Sequence, residues 1–179
     1  MITKSNLPQQ SILQANKTKY DYIDSFVGIL NDSQHTLTST QLGTTFFTSS
    51  PEWVGKLFDL RNKIVSLVGL KTAGKMSEKE QQLENFKCEV GEQLGLFKVF
   101  HKTENEVVMG EDDKHLNFRI SLFFNSSSLD LNKKELFIST TVEFKNWFGK
   151  LYFLPVRPFH KIIVPAMLKS IIQNLEKKN

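Results

Sequence analysis

Cysteine occurs once, at Cys88. An intrachain disulfide is excluded, so packing and hydrogen bonds must hold the fold, and a reducing compartment is allowed. No stretch reaches the ~18 unbroken apolar residues of a membrane span. The opening MITKSNLPQQSILQANKTKY also lacks the apolar run of a secretory leader. Cytoplasmic residence is the expectation. Charge of one sign is nowhere concentrated: the net charge is +4, from 23 Lys+Arg against 19 Asp+Glu, and the one dense group is Glu176-Lys177-Lys178. Nucleic-acid binding, which needs a basic stripe interleaved with exposed aromatics, is not expected. There is no G-x-G-x-x-G turn and no local His or Cys pair at ligand spacing, so neither a dinucleotide cofactor nor a metal is expected.

What is present suits one soluble domain. A chain of 179 residues is long enough to bury about 70% of its unfolded surface. Fifteen phenylalanines imply either a Phe-rich core or a pocket lined with rings. Residues 1–19 are polar and aperiodic, and read as an extended N-terminal arm. Residues 20–179 form the domain. YDYIDSFVGIL (20–30) alternates and is rich in aromatic and β-branched residues, as a strand is. TLTSTQLGTTFF reads as a helix capped by Thr38 or Ser39. A second helix follows, with Ser50 as cap, Pro51 at its first position and a stripe of Trp53, Leu57, Leu60, Ile64 and Leu67. Residues 71–87 are polar and charged, and read as a mobile loop with a short helix around 77–85.

From Gly91 the period changes to two. Leu116, Phe118, Ile120, Leu122 and Phe124 form one apolar row. Leu136, Ile138, Thr140, Val142 and Phe144 form another. Such rows predict an antiparallel sheet that is wet on its other face. The closing segment VRPFHKIIVPAMLKSIIQNL is helical in pattern and apolar nearly all round, which implies cover on more than one side. Asn146 is a candidate cap for a short piece before it. Leu154 and Arg157 each precede a proline, so a break near 154–157 is expected, with Pro158 opening the main helix. Pro165 predicts a kink.

A half-apolar sheet needs a partner, and the last helix is the one available. The architecture is therefore α+β of the helix-grip kind: a curved antiparallel sheet wrapped around a long C-terminal helix, with two short helices after the first strand. This order resembles the START and birch-pollen-allergen superfamily (SRPBCC). MGEDDKHLNFRISLFF, ISTTVEF and GKLYFLPVRPFHKIIVPAML resemble the bacterial family called domain of unknown function 2867. That family shows a Gly-Glu-Asp-Asp-x-His-Leu-x-Phe-Arg stretch, here Gly110–Arg119, and a Pro-Phe-His stretch, here Pro158–His160. The similarity spans roughly residues 8–172. The family resemblance carries no activity. Some relatives accompany a nucleotide-binding dehydrogenase domain, for which this chain has neither motif nor room. The superfamily resemblance implies apolar-ligand binding, lipid carriage or, in some branches, cyclase-type chemistry.

The sequence nominates a pocket between sheet and helix lined by Phe118, Ile120, Ile138, Thr140, Val142, Tyr152, Phe159, His160 and Ile163. Thr140 is the polar member of an inward row, and it either orients a ligand or bonds to nearby backbone. His160 either holds the corner at Arg157-Pro158 or reaches the pocket mouth as an acid or base. Arg157 either binds an anionic head group or is solvated. Buried, the Tyr152 phenol needs a partner, from a ligand or from backbone. Glu111, Asp112, Asp113 and His115 read as a charged turn or as a metal or acid–base site. Asp113 and His115 share a strand face but stand ~7 Å apart, too far for a direct hydrogen bond.

A dry void of ~300 Å³ would cost about 7 kcal/mol against a total stability of ~5–15 kcal/mol. Rings fill such a space, or a ligand does. The primary expectation is a binder of a small apolar or amphipathic molecule with no catalytic residue assigned. The alternative is a cyclase- or hydrolase-type enzyme using His160 or His115 with Tyr152. A third reading is an interaction module presenting Trp147 or Phe123 to a protein.

Overall fold

Among the described residues, seven strands form one antiparallel sheet. A computed structural model describes residues 1–57, 83, 85–127, 130 and 132–177. The strands are β1 (Ile2–Lys4), β2 (Tyr22–Asn31), β3 (Gln93–Leu94), β4 (Phe97–Lys102), β5 (Glu106–Asp112), β6 (Leu116–Ser126) and β7 (Lys133–Phe144). Their spatial order is β1-β2-β7-β6-β5-β4-β3. β7 is central, pairing β2 from Tyr22↔Val142 to Asn31↔Lys133 and β6 from Leu116↔Phe144 to Ser126↔Lys134. β4 slips its register against β5 between Val99 and His101. Helix α1 (Ser39–Thr48) starts at Thr38, whose side chain accepts from the Gln41 amide while the Gln41 side chain accepts from the Thr38 amide. This reciprocal cap satisfies two otherwise orphaned donors. Residues 52–57 are helical. The rest of the second helix and nearly all of the 71–87 loop lie outside the described residues.

The inner face of the sheet carries Phe26, Leu30, Leu122, Phe124, Leu136 and Ile138. They pack with Leu42 and Phe46 of α1 and with Val164, Met167, Leu168 and Ile171 of the C-terminal helix α2 (Trp147–Glu176). Gly28 marks a close approach: a Cβ there would stand 2.5 Å from Ile2 Cδ1 and 2.6 Å from Ile172 Cδ1. The α+β helix-grip arrangement expected from the two apolar rows is the one observed.

The outer face is not wet. Residues 1–19, expected to extend as an arm, instead hold β1 and a 3-10 helix (Ile12–Lys19) capped by Ser11. Leu7 and Leu13 pack on Val108 with Ile12, Tyr20 and Ile23 against them. Buried Glu106 fixes this cover. Its Oε1 accepts from the Ser11 and Ser121 hydroxyls, at 2.6 and 2.5 Å, and its Oε2 accepts from the Ile12 amide at 2.8 Å. Ser25 and Ser139 share a 2.8 Å hydroxyl hydrogen bond on the same face. The outward serines that alternate with the apolar rows, Ser25, Ser121 and Ser139, therefore meet each other and one carboxylate rather than solvent.

Helix α2 also departs from expectation. It runs unbroken through Pro155, Pro158 and Pro165 from its Asn146 cap, whose side chain accepts from the Gly149 amide at 3.1 Å. The expected break at 154–157 is absent, and the helix begins well before Pro158. Each proline removes one i→i−4 hydrogen bond. The carbonyls so released belong to Leu151, Leu154 and Lys161, all exposed residues, where water can take the missing donor's place. The helix packs against the sheet and against α1, while Trp147, Leu151, Leu154 and Ile162 on its opposite side are exposed.

Candidate functional site

Asp24 interrupts the inward row of β2 between Tyr22 and Phe26. It is 5% exposed. Strand pairing sets it directly opposite Thr140 of β7, which in turn faces Ile120 of β6. Directly paired residues share a face with Cβ atoms about 5 Å apart. The Tyr22 phenol donates to Asp24 Oδ2 at 2.8 Å. From above, α2 lowers His160 onto the same carboxylate, its Nδ1 4.0 Å from Oδ2. Asp24 Oδ1, Thr140 Oγ1 and His160 Nδ1 are buried atoms without a hydrogen-bond partner among the described residues. Aromatic rings frame the group: Phe153 meets Tyr22 at 4.8 Å and His160 at 5.8 Å between centroids.

The electrostatics follow from burial. The Tyr22 phenol is pushed well above its ordinary range, chiefly by desolvation and then by Asp24, with Arg157 opposing. The His160 imidazole is lowered by desolvation, which outweighs the pull of the Asp24 carboxylate. His160 is thus neutral at pH 7, and one ring nitrogen is an acceptor.

Beside the cluster lies a cleft of about 480 Å³ lined by Lys4, Asp21, Tyr22, Ile23, Asp24, Phe26, Arg157 and Lys161. That volume is within the range of small-molecule sites. The cleft exists because β1 pairs β2 only from Phe26 to Gly28, leaving the Tyr22–Asp24 stretch of that edge largely uncovered. Asp21 is engaged by the Phe144 amide at 2.7 Å. The Arg157 guanidinium stands 5.5 Å from the Tyr22 ring centroid. Lys4, Arg157 and Lys161 form no ion pair among the described residues.

The nominated lining residues divide. Ile138, Thr140 and Val142 are buried on the inner face, and Phe118, Ile120 and Ile163 are half-buried there. Tyr152 is half-buried in a satellite cluster with Leu116, Val142 and Phe153. His160 joins Asp24. Phe159 is 48% exposed, away from the others. Phe123, read as a surface contact for a partner, is buried against Phe137 on the covered outer face.

Of the acidic stretch, Glu111 and Asp112 end β5, and the turn to β6 is Asp113–His115. Asp112 pairs Arg119 at 2.7 Å, and that guanidinium sits 3.6 Å over the Phe100 ring. His115 packs at a tilt against Phe148, 4.6 Å between ring centroids, and lies within hydrogen-bond distance of the Asn146 cap. No group of three or more potential metal ligands occurs among the described residues. Cys88 is buried, and burial pushes its thiol up to about 11, which makes it a poor nucleophile. Sequence reasoning missed Asp24 and Tyr22. The signal was a carboxylate placed in the apolar row of YDYIDSF.

These features define a helix-grip α+β domain with a polar cluster buried beneath its long helix. The chain belongs to the family described as Protein of unknown function (DUF2867), which matches residues 17–167. That span contains Tyr22, Asp24, Thr140 and His160. No curated protein and no solved structure matches the chain. No helix among the described residues is long and apolar enough to cross a membrane.

Proposed function

We propose that this protein binds a small amphipathic molecule between the sheet and the N-terminal half of α2. The polar end meets Asp24, Thr140 and His160, and the apolar part lies on Phe118, Ile120 and Ile163. The observation that carries this reading is the convergence of three unpartnered buried polar atoms beside a cleft. Each unpaired buried polar group costs about 1–3 kcal/mol, and a ligand with a hydroxyl or amide satisfies them. Asp24 Oδ1 calls for a donor, and Thr140 Oγ1 takes a donor or an acceptor. Arg157 and Lys161 suit an anionic substituent at the cleft mouth. Resemblance to START-like domains supports an apolar or lipid-like body for the ligand.

A cyclase- or hydrolase-type reaction on an apolar substrate is the second reading. It is favoured by a neutral imidazole beside a carboxylate, with His160 as base and Asp24 orienting it. His115, held at the Asn146 cap, has no part in it.

Thermal unfolding with fatty acids and flavonoid-like compounds tests binding. A ligand at 100 times its Kd adds about 2.7 kcal/mol, a shift of several degrees, and Asp24→Asn should abolish most of it. Indifference to the whole panel, or an equal shift in the variant, removes the reading. Chromatography of the incubated ligand separates carriage from turnover.

A further inference from the structure

The outward side of α2 carries a second apolar face. Trp147, Leu151, Leu154, Phe159 and Ile162 are 73%, 53%, 65%, 48% and 61% exposed. Trp147, Leu151, Leu154, Pro158 and Ile162 recur at steps of three and four. At 100° per residue they fall within an arc of about 80°, over a length of about 22 Å. Phe153, Val164, Met167 and Ile171, which face the sheet, occupy the opposite side. Lys150, Arg157 and Lys161 run along one flank of the stripe, within about 40° of one another. No acidic residue lies between Glu143 and Glu176.

From this we infer that the N-terminal half of α2 docks flat on an anionic lipid surface. A helix with an apolar face, a flanking row of cations and a tryptophan at one end matches the interfacial, non-spanning mode of membrane association. The charge pattern selects a negative surface, since the cations are unbalanced and gain from anionic head groups. A second copy of the chain fits less well, because a two-fold contact through this face brings the same cations together with no carboxylate on the N-terminal half of the helix to pair them. The prolines set the depth. The carbonyls released at Leu151 and Leu154 need water, so the helix rests at head-group level and does not enter the acyl region. Arg157 and Lys161 border both the stripe and the cleft, so docking would place the cleft mouth at the lipid surface. The docking itself does not depend on what the cleft holds.

The test is co-flotation of the full-length chain with phosphatidylcholine vesicles, with and without phosphatidylserine, at low and high salt. Trp147 emission is read in a Trp53→Phe background. Binding should require phosphatidylserine, weaken with salt, and blue-shift the emission. Lys150→Gln should weaken it about fivefold. Leu154→Ser with Ile162→Ser should weaken it at least about tenfold while thermal unfolding stays unchanged, because both side chains are exposed. Absent binding, binding indifferent to phosphatidylserine, or full binding by the double serine variant overturns the inference. So does a dimer in sedimentation that the same variant turns into monomer without any vesicle binding.

Discussion

Replacing Thr140 by valine should make the unliganded protein more stable. Thr140 is 1% exposed and its hydroxyl has no partner. Its neighbours across the ladder are Asp24 and Ile120. Valine keeps the shape and the β-branching that suits a strand, and exchanges the unpaired hydroxyl for a methyl group. The burial cost of such a hydroxyl is about 1–3 kcal/mol by mutational measure. Octanol-scale values of about 0.5–2 kcal/mol favour the lower part of that range, about 1–2 kcal/mol. For a chain of this size that is a rise in Tm of about 2–8 °C. The urea midpoint should rise with an unchanged m-value, which shows that the native state rather than the unfolded chain has changed. Thr140→Ser is the control: it keeps the unpaired hydroxyl, opens a methyl-sized gap, and should cost about 1 kcal/mol. The same valine should bind the amphipathic ligand more weakly, the trade expected where a site holds strain for function. Loss of about 1 kcal/mol or more in Thr140→Val would show that the hydroxyl is satisfied in the folded protein, and the reasoning about the cluster would fail.

Other outcomes follow from named contacts. Glu106→Ala strands two serine hydroxyls and the Ile12 amide and should cost about 2–4 kcal/mol. Faster trypsin cleavage after Lys17 and Lys19 would report release of the N-terminal cover, while Glu106→Gln should lose much less because both serines can turn to accept. Gly28→Ala crowds the terminal Cδ1 methyls of Ile2 and Ile172 and meets Leu168 at ordinary contact distance, so it should change the urea midpoint little, whereas Gly28→Val overpacks the helix–sheet contact and should cost about 1–3 kcal/mol. His160 resists protonation in the folded state, but takes a proton near pH 6.5 when unfolded. The unfolded chain then binds more protons below that pH, so stability falls on acidification, by at most about 1.4 kcal/mol per pH unit from this group. His160→Gln should flatten urea midpoints between about pH 7.5 and 5.5; an unchanged slope would show that the imidazole is not buried.

The fold was legible where one periodicity ran without interference. The rows 116–124 and 136–144 alternate cleanly and became the core strands β6 and β7. The caps at Thr38 and Asn146 are local chemistry and were visible as such. What escaped was long-range. Ser25, Ser121, Ser139 and Glu106 look like a solvated face in any window of sequence. They are buried because Leu7, Ile12 and Leu13, scattered through an otherwise polar arm, supply just enough apolar surface to cover them. The helix break failed for a related reason: a proline penalty measured in an exposed host ignores the packing of the opposite face against the sheet, which holds α2 straight on through 154–157. At the candidate site, the inward row of β7 gave Thr140, and His160 was singled out by its place just after the Arg157-Pro158 corner. Asp24 stood in the corresponding row of β2, but its meaning emerges only when the strand pairing sets it opposite Thr140.

The most direct trial of ligand binding at this cluster is an NMR titration of the isotope-labelled protein with whichever amphipath gives the largest thermal shift. Perturbations concentrated at Asp24, Ile120, Thr140 and the His160 ring, on the face beneath α2, are the predicted result. Perturbations confined to the outer face, around Ser121, Ser139 and Glu106, or spread evenly over the surface, would contradict it.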